Sequence, residues 1–169
     1  LGICALIAVI AVVIGSATAF AGNDRKLPIY CVETEKKQIA ISFDAAWGND
    51  DTQMLIDILK EYNVPATFFV VGSWVDKYPE SVKALSDAGH QVQNHSNTHP
   101  HMPQLSKQQM RDELESCNSK IKAITGVCPT LLRPPYGDYD NALIETVDSI
   151  NMKTIQWSVD SLDWKDSAT

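Results

Sequence analysis

Gln38-Ile39-Ala40-Ile41-Ser42-Phe43-Asp44 is a short apolar run, rich in β-branched residues, that stops on a carboxylate. It predicts a strand over 39–43 with Asp44 at its carboxyl end. Outward from it, 52–62 carries Met54, Leu55, Ile58 and Leu59 at helical spacing behind Thr52, a candidate N-cap. Residues 66–71 are fully apolar, a strand closed by Gly72, and 79–88 reads as a helix with Val82 and Leu85 on one side and Gly89 as its C-cap. A strand over 91–94 follows. From Ser106 a long helix shows the stripe Met110, Leu114, Cys117, Ile121 and Ile124 and ends at Gly126; Glu113 stands too far from Ser106 to form a capping box. Segments 130–132, 141–150 and 153–157 predict strand, helix and strand. Buried strands that alternate with helices imply parallel β-α units, in an open sheet or a barrel. In either, reactive groups collect at the carboxyl ends of the strands. Asp44, His95, Arg133 and the pair Asp160 and Asp163 each follow a strand, so four strand ends carry side chains able to do chemistry.

The bulk properties narrow the classes. A chain of 169 residues, 44% hydrophobic and 21% charged, suits one domain with a real core. Fourteen basic against 21 acidic side chains give a net charge of -7, which repels phosphate backbones and argues against nucleic acid as a partner. A monomer is expected. Residues 1–20 hold no charged side chain. About 20 apolar residues in a helix span roughly 30 Å, the thickness of a bilayer's hydrocarbon core. Segment 1–21 therefore reads as a hydrophobic N-terminal helix, a transmembrane anchor by preference. Ala17-Thr18-Ala19 and Ala19-Phe20-Ala21 would be the cleavage sites of the alternative, a signal segment and a secreted protein. Either reading places the remainder outside the cytoplasm, with 22–37 as a polar linker and 38–169 as the domain. Export permits disulfides, and Cys117 with Cys128 is a candidate pair; the preferred reading is small buried or unpaired thiols. The chain starts on Leu1 and stops at Thr169, and we read it as a piece incomplete at its C-terminal end.

The strand ends suggest specific roles. His95-Ser96-Asn97-Thr98-His99 places two imidazoles four residues apart, able to meet one metal ion if the segment turns helically. His101, between Pro100 and Pro103, reads as solvated or as a support behind the metal ligands. Asp44, partly desolvated at the end of an apolar strand, is a candidate base, and Arg133 could pair with it. Arg133-Pro134-Pro135-Tyr136-Gly137 is a stiff turn able to hold a backbone N–H on one point, as an oxyanion donor requires. Trp157, Asp160, Asp163 and Trp164 mix rings with carboxylates, a way to line a sugar groove, with Trp157 assigned to the core.

These residues together resemble the polysaccharide deacetylase family, also called the NodB homology domain or carbohydrate esterase family 4, and within it the sporulation-associated branch. The resemblance runs from about Gln38 to Asp166. Ser42-Phe43-Asp44 resembles its T-F-D-D motif, His95 to His99 its H-[ST]-x-x-H motif, Arg133 to Gly137 its arginine-proline-tyrosine motif, and Asp160-Ser161-Leu162-Asp163-Trp164 its aspartate-tryptophan motif. The resemblance implies an α/β fold, a distorted (β/α) barrel truncated at its C-terminal end. It implies Asp44 as base, Arg133 holding it, Tyr136 as oxyanion donor and Asp163 orienting a catalytic histidine. Asp160 and Trp164 would touch substrate. His95 and His99 would bind a divalent metal ion, zinc first, with cobalt, nickel or manganese as alternatives. The implied reaction is hydrolytic N-deacetylation of peptidoglycan or a chitin-like glycan, and the alternative is a glycan-binding protein on the same fold. Two departures bear on that choice. Ala45 stands where the family has a metal-binding aspartate, leaving Asp50 or Asp51 to complete the site if their loop folds back. A leucine-x-histidine motif supplying the general acid is expected beyond Thr169.

Overall fold

The structure is a computed structural model that describes residues 24–163 and 165. The segment read as an anchor or signal, and Trp164, lie outside the described residues. Among those described, no helix is long and apolar enough to cross a membrane.

Five parallel strands form one sheet in sequence order: β1 (Ile41–Ala45), β2 (Ala66–Val70), β3 (Gln91–Asn94), β4 (Leu131–Leu132) and β5 (Lys153–Thr154). Between them run α1 (Thr52–Glu61), α2 (Gly72–Lys77), α3 (Pro79–Asp87), α4 (Lys107–Thr125) and α5 (Asn141–Ser149). This is the alternation that the apolar periodicity predicted, as an unclosed sheet of the barrel type. Strand residues alternate between faces. Phe43 and Ala45 therefore pack with Phe68 and Val70 into a core with α1, α2, α3 and α4 residues, including Ile56, Trp74, Val82, Leu85 and Ile121. A second core gathers Leu132, Leu143, Val147, Met110, Leu114 and Met152. Ser42, Asp44 and Phe69 have the opposite parity, and Asp44 pairs in register with Phe69. That leaves a polar face for the site.

Several local expectations are corrected. β1 runs Ile41–Ala45 rather than 39–43, so Asp44 lies inside the strand. Gly72 does not only close β2; it opens the short helix α2, and a Cβ there would meet the Asn97 side-chain oxygen and, at 3.0 Å, the Asn97 Cα, so the close approach favours glycine. Ser106 does head a capping box, with Gln109 rather than Glu113: its hydroxyl accepts from the Gln109 N–H and the Gln109 side chain takes the Ser106 N–H. The preferred reading of the cysteines holds: Cys117 and Cys128 form no disulfide. Cys117 is buried on the α4 stripe with its thiol donating to the Val70 carbonyl at 3.4 Å, while Cys128 and Cys31 are exposed thiols.

Within the segment read as a polar linker, residues 24–30 are docked on the domain. Ile29 makes a parallel bridge to Ile155, its N–H donating to the Thr154 carbonyl at 2.9 Å and its carbonyl accepting from Gln156 at 2.8 Å. The Asn141 side chain accepts from the Lys26 N–H and donates to the Asp24 carbonyl. The Lys26 ammonium pairs with Glu145 at 3.1 Å. A composition-based reading sees only polarity and Pro28 here; the pairing depends on β5, more than 120 residues later in the chain.

Candidate active site

Arg133 follows β4 and is nearly fully buried. Its guanidinium lies 4.4 Å over the Phe69 ring and 5.2 Å from the Trp157 ring. Burial alone would penalise this charge, and three acceptors offset the cost. Nη1 donates to Asp44 Oδ1 at 3.0 Å, Nη2 to the Ser42 hydroxyl at 3.0 Å, and Nε to the Ile155 carbonyl at 3.2 Å. Asp44, about one-third exposed, is thereby held by one oxygen and presents the other outward.

That second oxygen, Oδ2, lies 3.9 Å from His95 Nε2. His95 is buried, and its Nδ1 meets the Arg133 carbonyl at 2.6 Å. A carbonyl only accepts, so Nδ1 carries the proton and Nε2 faces the site with a free lone pair. Desolvation holds this imidazole below its ordinary range, against the pull of Asp44. His99 is pushed down to about 4, by desolvation first and then by the neighbouring His95. Both rings are therefore neutral at neutral pH, the form that binds metal.

The loop between them does not turn helically. Ser96 and His99 both adopt left-handed backbone, with φ of 66° and 62°. The Ser96 hydroxyl accepts from the His99 N–H at 3.0 Å. The two rings still meet edge to face, centroids 5.0 Å apart. Glu113 fixes the outer side of this loop: one carboxylate oxygen accepts from the Asn97 and Thr98 N–H groups at 2.8 Å each, and the other from the Thr98 hydroxyl at 2.8 Å. Glu113 lies too far along to cap its own helix; it caps another segment, and only the fold brings the two together.

His95 and His99 fit two positions in the shell of a divalent ion. His99 Nδ1 is buried with no hydrogen-bond partner in the described structure, an orphan atom that suits a ligand. Among the described residues no third protein ligand joins them. No group of three or more His, Cys, Asp or Glu side chains able to hold a metal ion occurs among the described residues, so Asp50 and Asp51 do not complete the set. Ala45, at the position expected to carry the carboxylate, packs instead against the apolar core.

The turn after β4 is built as expected and is more strained. Tyr136 has φ 60° and Gly137 φ 71°. A Cβ on Gly137 would meet the Trp157 ring at 3.0 Å. The Gly137 and Asp138 N–H groups close the turn onto Pro134 and Pro135 carbonyls, and the Tyr136 N–H makes no hydrogen bond among the described residues. A left-handed non-glycine residue costs on the order of 1 kcal/mol or more, and such strain clusters at functional sites. His101 stacks on the Tyr136 ring, centroids 4.1 Å apart, and its Nδ1 donates to the Asp138 carboxylate at 2.5 Å. It thus braces the turn rather than standing free.

Asp160 and Asp163 are exposed and make only local bonds among the described residues, Asp160 accepting from the Leu162 N–H and Asp163 from the Ser161 hydroxyl. The structure joins Asp44, Arg133, His95, His99 and Tyr136, and leaves these two outside that cluster. Trp157 is half-buried beside Arg133.

The sequence profile described as polysaccharide deacetylase matches residues 32–155. Peptidoglycan-N-acetylmuramic acid deacetylase PdaA of Bacillus subtilis is 37% identical over 137 residues, covering 80% of this chain and 52% of PdaA. BA3943 of Bacillus anthracis, a CE4 family pseudoenzyme, superposes with a TM-score of 0.79 at 38% identity, over 82% of this chain and 49% of that one. A BA3943 mutant with restored enzymatic activity superposes equally well, at 39% identity over 82% of this chain and 51% of that one. The chain spans about half the length of the first curated relatives it matches, 44% to 55%. The profile, the relatives and the strand-end cluster agree: this chain belongs to the polysaccharide deacetylase family.

Proposed function

We propose that this chain carries the N-terminal strands and most of the catalytic groups of a deacetylase that hydrolyses the acetamide of N-acetylated cell-wall glycan, with peptidoglycan as the first candidate. The observation that carries the reading is the bond from buried Arg133 to Asp44, beside two neutral histidines. Asp44 takes a proton from water through Oδ2 while Arg133 keeps Oδ1 in place. The water oxygen then bonds to the acetamide carbon, and charge grows on the carbonyl oxygen. The Tyr136 N–H, in the strained turn after β4, donates to that oxygen. The C–N bond breaks as the amine takes up a proton, giving acetate and a free amino sugar. A divalent ion on His95 and His99, zinc first, would supply Lewis-acid polarisation of the carbonyl. Asp163, with Asp160 and Trp164, is proposed to serve the proton donor and the substrate. An extracytoplasmic, membrane-anchored placement is proposed from the apolar segment 1–21.

A second reading is favoured by one observation: Ala45 stands where a carboxylate ligand is expected, and no third metal ligand occurs among the described residues. It is a glycan-binding protein that has lost the reaction. The test is bound metal and acetate release from N-acetylated glycan, in the full-length protein and in the His95→Ala/His99→Ala variant. Metal and acetate release that are both lost in the variant support the deacetylase. A folded protein that binds glycan without either supports the second reading. An Ala45→Asp variant that then gains both would assign the silence to the missing carboxylate.

A further inference from the structure

Trp47 lies in the loop after β1, three residues beyond Asp44, and none of the motifs above uses it. It is 77% exposed, an unusual position for so large a ring. Its ring meets the His99 imidazole edge-on, centroids 5.6 Å apart at 63°. Tyr136, 58% exposed, meets the same imidazole edge-on at 4.6 Å and 67°. Two exposed rings from different loops thus stand against one imidazole at the centre of the site. Tyr136 is already rigid, because His101 stacks behind it at an interplanar angle of 15° and Asp138 anchors His101. Trp47 has no such backing, and its indole N–H makes no hydrogen bond among the described residues.

We propose that Trp47 is a substrate-binding residue: its ring takes the apolar C–H face of a pyranose in the glycan, against the braced Tyr136 ring on the other loop. The occupant follows from chemistry on the page. A pyranose has an apolar face and a polar rim, so it suits an exposed ring whose neighbours are polar. A purely apolar ligand would not suit a rim of His99, His101 and Asp138. The proposal rests on the glycan reading above and deepens it. It assigns sugar affinity to a ring beside the reacting carbonyl, and it holds for an enzyme or a silent binder alike.

The test is calorimetric binding of the N-acetylglucosamine tetramer to the full-length protein and to Trp47→Ala and Trp47→Tyr. Truncating an aromatic anchor costs about tenfold in affinity. The expectation is a loss of that order in Trp47→Ala, with most of it recovered in Trp47→Tyr. Because Trp47 is exposed in a loop, unchanged thermal melting is expected in both variants. Binding by the parent that Trp47→Ala retains in full overturns the proposal and leaves the glycan reading standing. Loss in Trp47→Ala that Trp47→Tyr does not recover also overturns it, since an aromatic platform would survive that exchange. No binding by the parent overturns both.

Discussion

Arg133 and Asp44 are bound at 3.0 Å, and the guanidinium is far more buried than the carboxylate it holds. Arg133 also takes the Ser42 hydroxyl and the Ile155 carbonyl, so it ties β1 to the end of β5 through one side chain. Breaking a buried pair by removing one partner costs about 3–5 kcal/mol; the exposure of Asp44 brings the expectation for Arg133→Met to roughly 2–3 kcal/mol. Asp44→Asn leaves an amide oxygen able to accept from Arg133. It should change stability by no more than about 1 kcal/mol while lowering any acetate release at least 100-fold. Urea unfolding and an acetate assay on both variants check this, and an Arg133→Met protein as stable as the parent would refute it.

Glu113 accepts three hydrogen bonds from the loop that carries the two histidines. Glu113→Ala leaves the Asn97 and Thr98 N–H groups without their acceptor. The expected cost is about 1–3 kcal/mol, since bonds to a charged acceptor are the stronger kind. Hydrogen exchange should accelerate at these two amides, while amides in α3 keep their protection. Unaltered exchange at both positions would remove Glu113 from the site's support.

The histidines predict an acid limit. Burial holds His95 and His99 below the ordinary value of 6.5, with His99 at about 4. As pH falls below 6.5, the unfolded chain takes protons that the folded chain refuses. Their contribution to stability is thus present above 6.5 and is lost as pH falls toward 4. Thermal melting of the metal-free protein should drop over this window, with a shallower slope in a His95→Asn/His99→Asn variant. Parallel slopes would show that other groups govern the acid limit.

Thiol chemistry separates the cysteines. Cys117 is buried and its thiol is pushed up to about 12, chiefly by desolvation, whereas Cys31 and Cys128 are exposed. Alkylation of the folded protein at pH 8, read by peptide mass mapping, should label Cys31 and Cys128 and spare Cys117 until denaturant is added. Labelling of Cys117 at the rate of the other two would mean that α4 opens readily.

Much of this was legible in the chain because the signals are local. Apolar runs gave the strands, and the stripe through Met110, Leu114, Cys117 and Ile121 gave α4. The sequence puts Asp44 at the end of an apolar run; that it lies inside β1 on the face opposite Phe43 is visible only in the paired strands. What escaped the reading depends on distance in sequence. Glu113 serves a loop 15 residues away, and Asn141 serves backbone 115 residues away. Neither role leaves a spacing to read. Trp47 escaped for a different reason: an exposed ring gains meaning only when the imidazole beside it is known. The short α2 follows β2 directly, and its six residues show too little periodicity to separate from a strand end.

Residues 24–30 give the sheet a mechanical property. The Ile29 bridge runs parallel to β5, and Asn141 grips the backbone on either side of Arg25. A pull on the chain ahead of residue 24 would therefore load these bonds in shear, together and along β5, instead of peeling them one at a time. Tension would reach the sheet beside Ile155, whose carbonyl holds Arg133, so the docked segment and the Asp44 carboxylate are connected through a single side chain.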